Sequence, residues 1–293
     1  MIMNNKTLTI VIPSYNHKNY IRTSILNAMQ LIDIADIVVI DDASDDGTLD
    51  ILTKESYPGV NIIIKKNNKG LLHSHRLWQQ FVQTEYVYLI ASDDEIIVDE
   101  FRKAYNKLLA LKDIDVAIFG GVNFLKEYEW PIYGKKHERF FMLSEKEKKI
   151  EIFTNHPSPL LAQSTIFRTS VLSEIDAFDG KVKFDDYPIY IKLILNNSKY
   201  KLLFDNDVSI VRYRHHFDNT YKKYNKMFDM FEEVYLYYCQ DIKVQTESIA
   251  LIWWLYIFRS LRDKNWNAFF NILSKGKLSY MKYIYTFFIR RLP

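Results

Sequence analysis

Residues 86–95 read YVYLIASDDE. Five bulky residues, Tyr86 to Ile90, pass through two small ones, Ala91 and Ser92, into three consecutive acids, Asp93, Asp94 and Glu95. The apolar half has the character of a strand buried on both faces of a sheet. The acidic half has no place inside a core, so burial must stop at Ala91. The stretch therefore marks the point where a core strand emerges at a polar edge.

The pattern repeats on either side. Near-continuous apolar runs occur at Leu8–Ile12, Ile37–Ile40, Val60–Lys65, Tyr86–Ile90 and Val116–Gly120. Helical spacing lies between them, with Ile21, Ile25, Ala28 and Met29 on one face and Leu77, Trp78 and Phe81 on another. Strand–helix alternation of this kind predicts an α/β fold, a mostly parallel sheet flanked by helices. Polar stretches follow the first four runs: PSYN, DDASDDGT, NNKG and SDDE. In an open α/β sheet the carboxyl ends of the strands form the crevice where ligands bind.

From about residue 130 to 200 the periodicity weakens, with Pro157 and Pro159 interrupting the chain. Ser209–His216 reads as a further strand ending in charge, and from 221 onward the chain reads as helical. The expected division is 1–220 and 221–293.

Composition sets limits. The 293 residues are 48% hydrophobic and 26% charged, which describes a globular protein. A net charge of +3 is too mild to point to nucleic acid. A single cysteine, Cys239, excludes an internal disulfide and a CxxC metal site and favours a reducing, cytoplasmic setting. The most apolar stretch, Ile249–Phe258, is about half the ~20 residues a bilayer-spanning helix needs.

Three acidic positions carry the chemistry. Asp93, Asp94 and Glu95 repel one another unless a cation or donors lie between them. Hard divalent cations take oxygen ligands, and Mg²⁺ is usually held by one or two carboxylates plus substrate phosphates. A solvated acidic turn is the plainer reading of an isolated Ser-Asp-Asp, and the preceding buried strand weighs against it. Asp41 and Asp42 stand at the end of the second run, within reach of a base or ribose edge, whereas Asp46 and Gly47 are explained by a turn into a helix cap at Thr48. Gly70 suits a positive φ. Asp185 and Asp186 precede a helical run and read either as helix N-terminal residues or as a general base.

Taken together, IVIPSYN, VVIDDASDDGT, NKG and YLIASDDE, followed by FDGKVKFDDYPIYIKL and VSIVRYRHHFDNT, resemble family 2 glycosyltransferases of the GT-A fold over roughly residues 7–220. The resemblance implies an inverting enzyme that moves a sugar from a nucleoside diphosphate donor, a UDP-sugar first among them, to an acceptor hydroxyl with Mn²⁺ or Mg²⁺. It implies that Pro13, Tyr15 and Asn16 flank the base, that Asp42 supported by Asp41 hydrogen-bonds it, and that Arg76 contacts the nucleotide. Asp93 falls nearer the ribose and Asp94 nearer the metal, Asp186 is the catalytic base, and His216 helps hold metal or diphosphate. The chain departs from the family in three places. Ala91 stands where many members have a first acid, Asp185 replaces a glutamate, and the helix after NKG carries His73, His75 and Arg76.

The implied role is cell-surface polysaccharide or glycolipid synthesis, with a saccharide or lipid-linked saccharide as acceptor. The alternatives are a nucleotidyltransferase and a non-catalytic nucleotide-sugar binding protein of the same fold. From Arg259 onward, basic residues (Arg291 among the last) alternate with Trp266, Phe269, Phe270, Tyr280, Tyr283, Tyr285, Phe287 and Phe288. That mixture suits a surface lying on the inner face of the cell membrane. It equally suits helices that pack as core or against a second subunit in a homo-oligomer.

Overall fold

The computed structural model of the protein describes residues 6–155, 158–216 and 222–290. Pro157, the FDNT end of the last motif and Arg291 lie outside them. In chain order come β1 (Leu8–Ser14), α1 (Ile21–Met29), β2 (Ala35–Asp41), α2 (Thr48–Lys54), β3 (Val60–Ile64), α3 (Leu71–Trp78), β4 (Tyr86–Leu89), β5 (Glu95–Ile96) and α4 (Val98–Leu111). They are followed by β6 (Val116–Leu125), β7 (Tyr128–Pro131), α5 (Lys135–Met142), α6 (Glu145–Thr154), β8 (Thr165–Arg168), α7 (Thr169–Glu174), α8 (Asp186–Leu195) and β9 (Leu202–Arg214). The chain continues with α9 (Tyr224–Tyr238), α10 (Ile242–Arg262), α11 (Trp266–Ser274) and α12 (Ile284–Ile289).

Two compact units result. The first comprises Met1–Phe141, Pro159–Asp179 and Asn196–His215; the second comprises Met142–Ser158, Gly180–Leu195 and His216–Pro293. The helices expected from 221 onward thus share their unit with α6 and α8.

The first unit holds the sheet, in the order β3-β2-β1-β4-β8-β6-β9-β5, with β7 beside β6. All five apolar runs are strands. β1 pairs in parallel with β2 and β4, and β2 with β3, so Val11 lies opposite both Val38 and Leu89. Parallel neighbours need crossovers, which α1, α2 and α3 provide. Leu8, Ile10, Val11 and Ile12 are fully buried, which is why their run shows no alternation. Beyond β4 the sheet becomes mixed, with β8 antiparallel to both β4 and β6.

β6 runs five residues past the expected end at Gly120. Its ladder with β9 shifts register at Gly120 and Gly121. A Cβ on Gly120 would lie 2.8 Å from the Asn206 carbonyl oxygen, and one on Gly121 would lie 2.7 Å from Val211 Cγ1. The two glycines let the strands touch through an irregularity that a side chain would block. Past it, Val122 and Phe124 stay in register with Arg212 and Arg214.

The second unit is helical. α10 begins at Asp241, whose carboxylate accepts from the Lys243 and Val244 amides at 2.8 and 3.0 Å. Ile249, Ala250, Trp253, Trp254, Tyr256 and Ile257 on this helix are buried. Trp253 Nε1 donates to the Ile272 carbonyl and Trp254 Nε1 to the Tyr280 carbonyl, at 2.8 and 3.1 Å. Each indole thereby fills core and satisfies its one donor. Gly276 lies against the Trp253 ring, where a Cβ would come within 2.5 Å. α8 is buried along nearly its whole length, with Tyr187 donating to the Ile152 carbonyl and packing on Phe231 and Tyr235. Among the described residues no helix is long and apolar enough to cross a membrane.

Candidate active site

The loops after β1 and β2 are stitched together. Asn16 adopts φ 55°, which turns the chain sharply away from Tyr15. Its side-chain amide donates to Asp45 Oδ1 at 2.8 Å, and the Asp45 amide donates back to Asn16 Oδ1 at 2.9 Å. The His17 amide reaches Thr48 Oγ1 and the Lys18 amide reaches Asp46, at 3.0 and 3.1 Å. Pro13 lies within β1 opposite Ile40, and Tyr15 is exposed beyond the strand end.

Asp41 and Asp42 are both buried. The Asp41 carboxylate accepts from the Ser44 amide at 2.8 Å and the Ser44 hydroxyl at 2.6 Å, closing its own turn. Asp42 is 4% exposed and accepts from the Lys69 and Gly70 amides at 2.8 and 2.7 Å. Lys65, at the end of β3, completes the group with Nζ 2.5 Å from Asp42 Oδ1 and 3.1 Å from Ser74 Oγ. Gly70 has φ 82° and open space at its Cβ, so conformation selects glycine there. Asp42 therefore braces the NKG turn, alongside the base contact expected of it. Lys65 was missed because a lysine at a strand end carries no pattern; its buried pairing emerges only when β2 and β3 are adjacent.

α3 carries the three residues that depart from the family. His75 is buried, stacked on Phe178 at 4.4 Å, and accepts from Trp78 Nε1 at 3.1 Å; burial pushes its imidazole down to about 3. It is a neutral core group. Arg76 is exposed, and its Nε donates to the Phe178 carbonyl. His73 is lowered by desolvation and then by the charges of Lys65 and Lys69.

The acid loop sits at the end of β4, beside β1. Asp94 is 2% exposed, and its Oδ1 accepts from the Arg214 amide at 2.8 Å. The Arg214 guanidinium donates to the Asp93 carbonyl at 2.8 Å and to Glu95, and Arg212 reaches Glu95 at 2.6 Å. Arg214 also lies 4.4 Å from the Phe124 ring centroid and 5.2 Å from that of Tyr20. Glu95 is thus the β5 residue that locks β5 to β9, its carboxylate paired with two guanidinium groups. Ser92 is buried and 2.7 Å from His17 Nδ1, joining the acid loop to the loop after β1. Pro13, Tyr15, Asn16, Asp41, Asp42, Gly70, Asp93 and Asp94 are therefore all in the first unit, at or near the carboxyl ends of β1 to β4, while Arg76, in the same unit, lies in the last turn of α3.

Asp186 and His216 belong to the second unit. Asp186 opens α8. Burial raises the neighbouring Asp185 carboxyl above the usual carboxylate range, against the stabilising effects of backbone hydrogen bonds and the Lys226 charge. His216 follows β9, and its carbonyl accepts from Lys222 at 2.8 Å.

Residues 9–172, more than half of the chain, match the family described as Glycosyl transferase family 2. The chain belongs to glycosyltransferase family 2. An uncharacterized glycosyltransferase of Rickettsia typhi is 25% identical over 222 residues, 75% of this chain and 68% of its own length. One of Haemophilus influenzae is 26% identical over 110 residues, 36% of this chain and 44% of its own. Among solved structures, S. aureus TarS 1–349 in complex with UDP-GlcNAc aligns with TM-score 0.58 and 17% identity, covering 84% of this chain and 71% of that one. The mannosyltransferase PcManGT from Pyrobaculum calidifontis, in complex with GDP-Man and Mn²⁺, aligns with TM-score 0.61 and 15% identity, covering 97% and 80%. These likenesses establish the GT-A fold, and the family establishes a glycosyltransferase, which sets aside the nucleotidyltransferase and non-catalytic alternatives.

Among the described residues no three His, Cys, Asp or Glu side chains form a group able to hold a metal by themselves. The donors of the acid loop are hard carboxylate oxygens on a short, anchored segment. That set fits Mg²⁺ or Mn²⁺ held by one or two carboxylates with a substrate diphosphate completing the shell.

Proposed function

We propose that this family 2 glycosyltransferase inverts the anomeric centre as it moves a sugar from a nucleoside diphosphate donor, a UDP-sugar first, onto a hydroxyl of a saccharide or lipid-linked saccharide in cell-surface polysaccharide or glycolipid synthesis. The observation that carries the reading is the acid loop, anchored through Arg214 and set beside the strand-end loops of β1 to β3. The nucleotide sugars in the TarS and PcManGT structures support the donor class.

In this reading Pro13, Tyr15 and Asn16 flank the base, with the Tyr15 ring offered to it. Asp41 and Asp42 shape the pocket behind the base, Asp42 also holding the turn that ends at Gly70. Asp93 faces the ribose, and Arg76 presents its guanidinium to the nucleotide. Asp94 is the principal ligand of Mn²⁺ or Mg²⁺, with Asp93 and His216 as further ligands. When bound, the metal neutralises charge on the departing diphosphate. Asp186 removes the proton from the acceptor hydroxyl. The freed oxygen bonds to the anomeric carbon as the bond from that carbon to the diphosphate oxygen breaks. Attack opposite the leaving group inverts the centre.

A second assignment of the base has its own support. Asp185 adjoins Asp186 just before α8, and burial raises its carboxyl above the usual carboxylate range, the direction that strengthens a general base. Transfer assays with a panel of sugar nucleotides and Mn²⁺, read by nucleoside diphosphate release and by the product anomer, test the reading. A product that keeps the donor's anomeric configuration overturns inversion. Asp186→Asn should slow transfer by ~10²–10⁴ with donor binding intact. If Asp185→Asn does so and Asp186→Asn does not, the base is Asp185.

A further inference from the structure

The structure sorts the C-terminal aromatics into two sets. Tyr280, Tyr283 and Phe287 are buried and belong to the helical core. Trp266, Phe270, Tyr285 and Phe288 are exposed. The exposed set is not scattered. On α11, Trp266, Phe270 and Leu273 are spaced i, i+4, i+7, and Phe270 is 63% exposed; Ala268 and Ile272, at the other phase of that helix, are buried. Leu278, Met281, Tyr285 and Phe288 follow at intervals of three or four along the next helical stretch, with Leu278 91% and Tyr285 73% exposed. Each stripe is the outward side of a segment whose inward side packs on α10 through Trp253, Trp254 and Phe258, with Phe288 at the margin, its ring 5.5 Å from that of Phe258.

Within the segment itself the charge is nearly of one sign, and the acids that face it, Asp229, Glu232 and Glu247, come from α9 and α10. Between Arg259 and Arg290 the sole acid is Asp263, and it is tied to Arg262 at 2.7 Å. Lys275 is paired with Asp229, and Arg290 with Glu247. Lys264, Lys277 and Lys282 are exposed and make no ion pair among the described residues. They stand next to the stripes: Lys264 two residues before Trp266, Lys277 beside Leu278, and Lys282 beside Met281.

We infer that α11 and the segment from Leu278 to Ile289 form a docking surface for an anionic phospholipid bilayer. Exposed apolar rows embed among headgroups and acyl chains while adjacent lysines draw anionic headgroups. A second copy of the chain is a poorer occupant, because a symmetric contact through this face would bring the lysines of both copies into one interface. A neutral apolar partner would leave the lysine charges unused. The inference does not depend on the sugar-transfer reading.

The test uses the full chain, because a cut near Ser248 would pass through the buried middle of α10. Vesicles of phosphatidylcholine alone, and of phosphatidylcholine mixed with phosphatidylglycerol, are floated on a gradient with the protein. The protein should rise with the mixed vesicles at low salt and be released as salt rises. Lys277→Ala with Lys282→Ala should weaken partition about thirtyfold, the product of two charges at ~1 kcal/mol each. Phe270→Ser with Tyr285→Ser should abolish flotation while melting temperature and far-ultraviolet circular dichroism hold, since both side chains face outward. Failure of the unaltered protein to float with anionic vesicles at low salt overturns the inference. Equal binding to both vesicle types overturns it as well. A dimer in sedimentation that Phe270→Ser with Tyr285→Ser dissociates, with no vesicle binding, reassigns the face to a second copy.

Discussion

Two aspartate pairs stand at the ends of strands β2 and β4, and the protein uses them differently. Asp41 and Asp42 turn inward. Their carboxylates gather Ser44, the Lys69 and Gly70 amides and Lys65, and so hold one turn closed and one strand end against the next. Around Asp93 and Asp94 the Arg214 guanidinium binds the Asp93 main-chain carbonyl, and one oxygen of Asp94 takes the Arg214 amide. The first loop is braced by its two carboxylates, and the second is tied to β9 through the Asp94 carboxylate, the Asp93 carbonyl and the neighbouring Glu95. Identical residues at equivalent places in a fold thus take different partners, a difference that residue type does not reveal.

The largest expected effect breaks the first pair. Asp42→Ala strands the buried Lys65 charge and should cost about 3–5 kcal/mol of stability in urea denaturation, with weaker nucleoside diphosphate binding. Lys65→Met added to it should recover part of the stability but not the binding. If Asp42→Ala melts like the unaltered protein, Asp42 is no brace and the contrast between the loops fails.

Next comes the second pair. Asp94→Asn should lower transfer by about 10²–10³, the scale for losing one electrostatic contact to developing charge, while the melting temperature stays nearly unchanged. Full turnover in excess chelator would remove the metal from the reading and leave Asp94 a structural acceptor like Asp42.

A pH titration of stability sharpens the contrast from α3. His75 has its folded value depressed to about 3 by burial, so the folded state resists the proton that the unfolded chain accepts near 6.5. Its contribution is complete above that unfolded value and falls as pH drops from about 6.5 toward 3, by ~1.4 kcal/mol per pH unit. Denaturation midpoints should decline across that window, and less so in His75→Phe. An identical acid limb in both proteins would mean that the carboxylates alone govern acid sensitivity.

The smallest effect falls on the link between the acid loop and β9. Arg214→Lys keeps the amide to Asp94 but replaces the fork that reaches both Asp93 and Glu95. Transfer should fall about tenfold, the lower end for losing a supporting partner of a metal ligand, with the apparent Mn²⁺ affinity falling in parallel. A drop in stability without a change in Mn²⁺ dependence would make Arg214 a fastener only.

Much of this was legible in the sequence, for reasons that differ by residue. The five apolar runs needed no partner to be recognised, because burial on both faces leaves its mark on each strand separately. The polar stretches after β1 to β4 were readable because parallel connectivity sends all four strand ends to one edge. β8 was not legible: four residues in an irregular stretch, TIFR, become a strand only because β4 and β6 stand on either side with unpaired backbone. The continuation of β6 past Gly120 was hidden as well, since two glycines usually end a strand, and only the irregular pairing with β9 extends it.

The sequence alone therefore settled the α/β alternation, the family and the edge at which charge collects, all of them properties of local pattern. Tertiary structure decided what each charge does. Arg214 is 120 residues from Asp94, Lys65 is brought to Asp42 by the pairing of β3 with β2, and Glu95, in sequence the last of three adjacent acids, is a partner of Arg212 and Arg214. An ionised side chain takes its role from the opposite charges within a few ångströms, and that neighbourhood is assembled by strand pairing between distant segments.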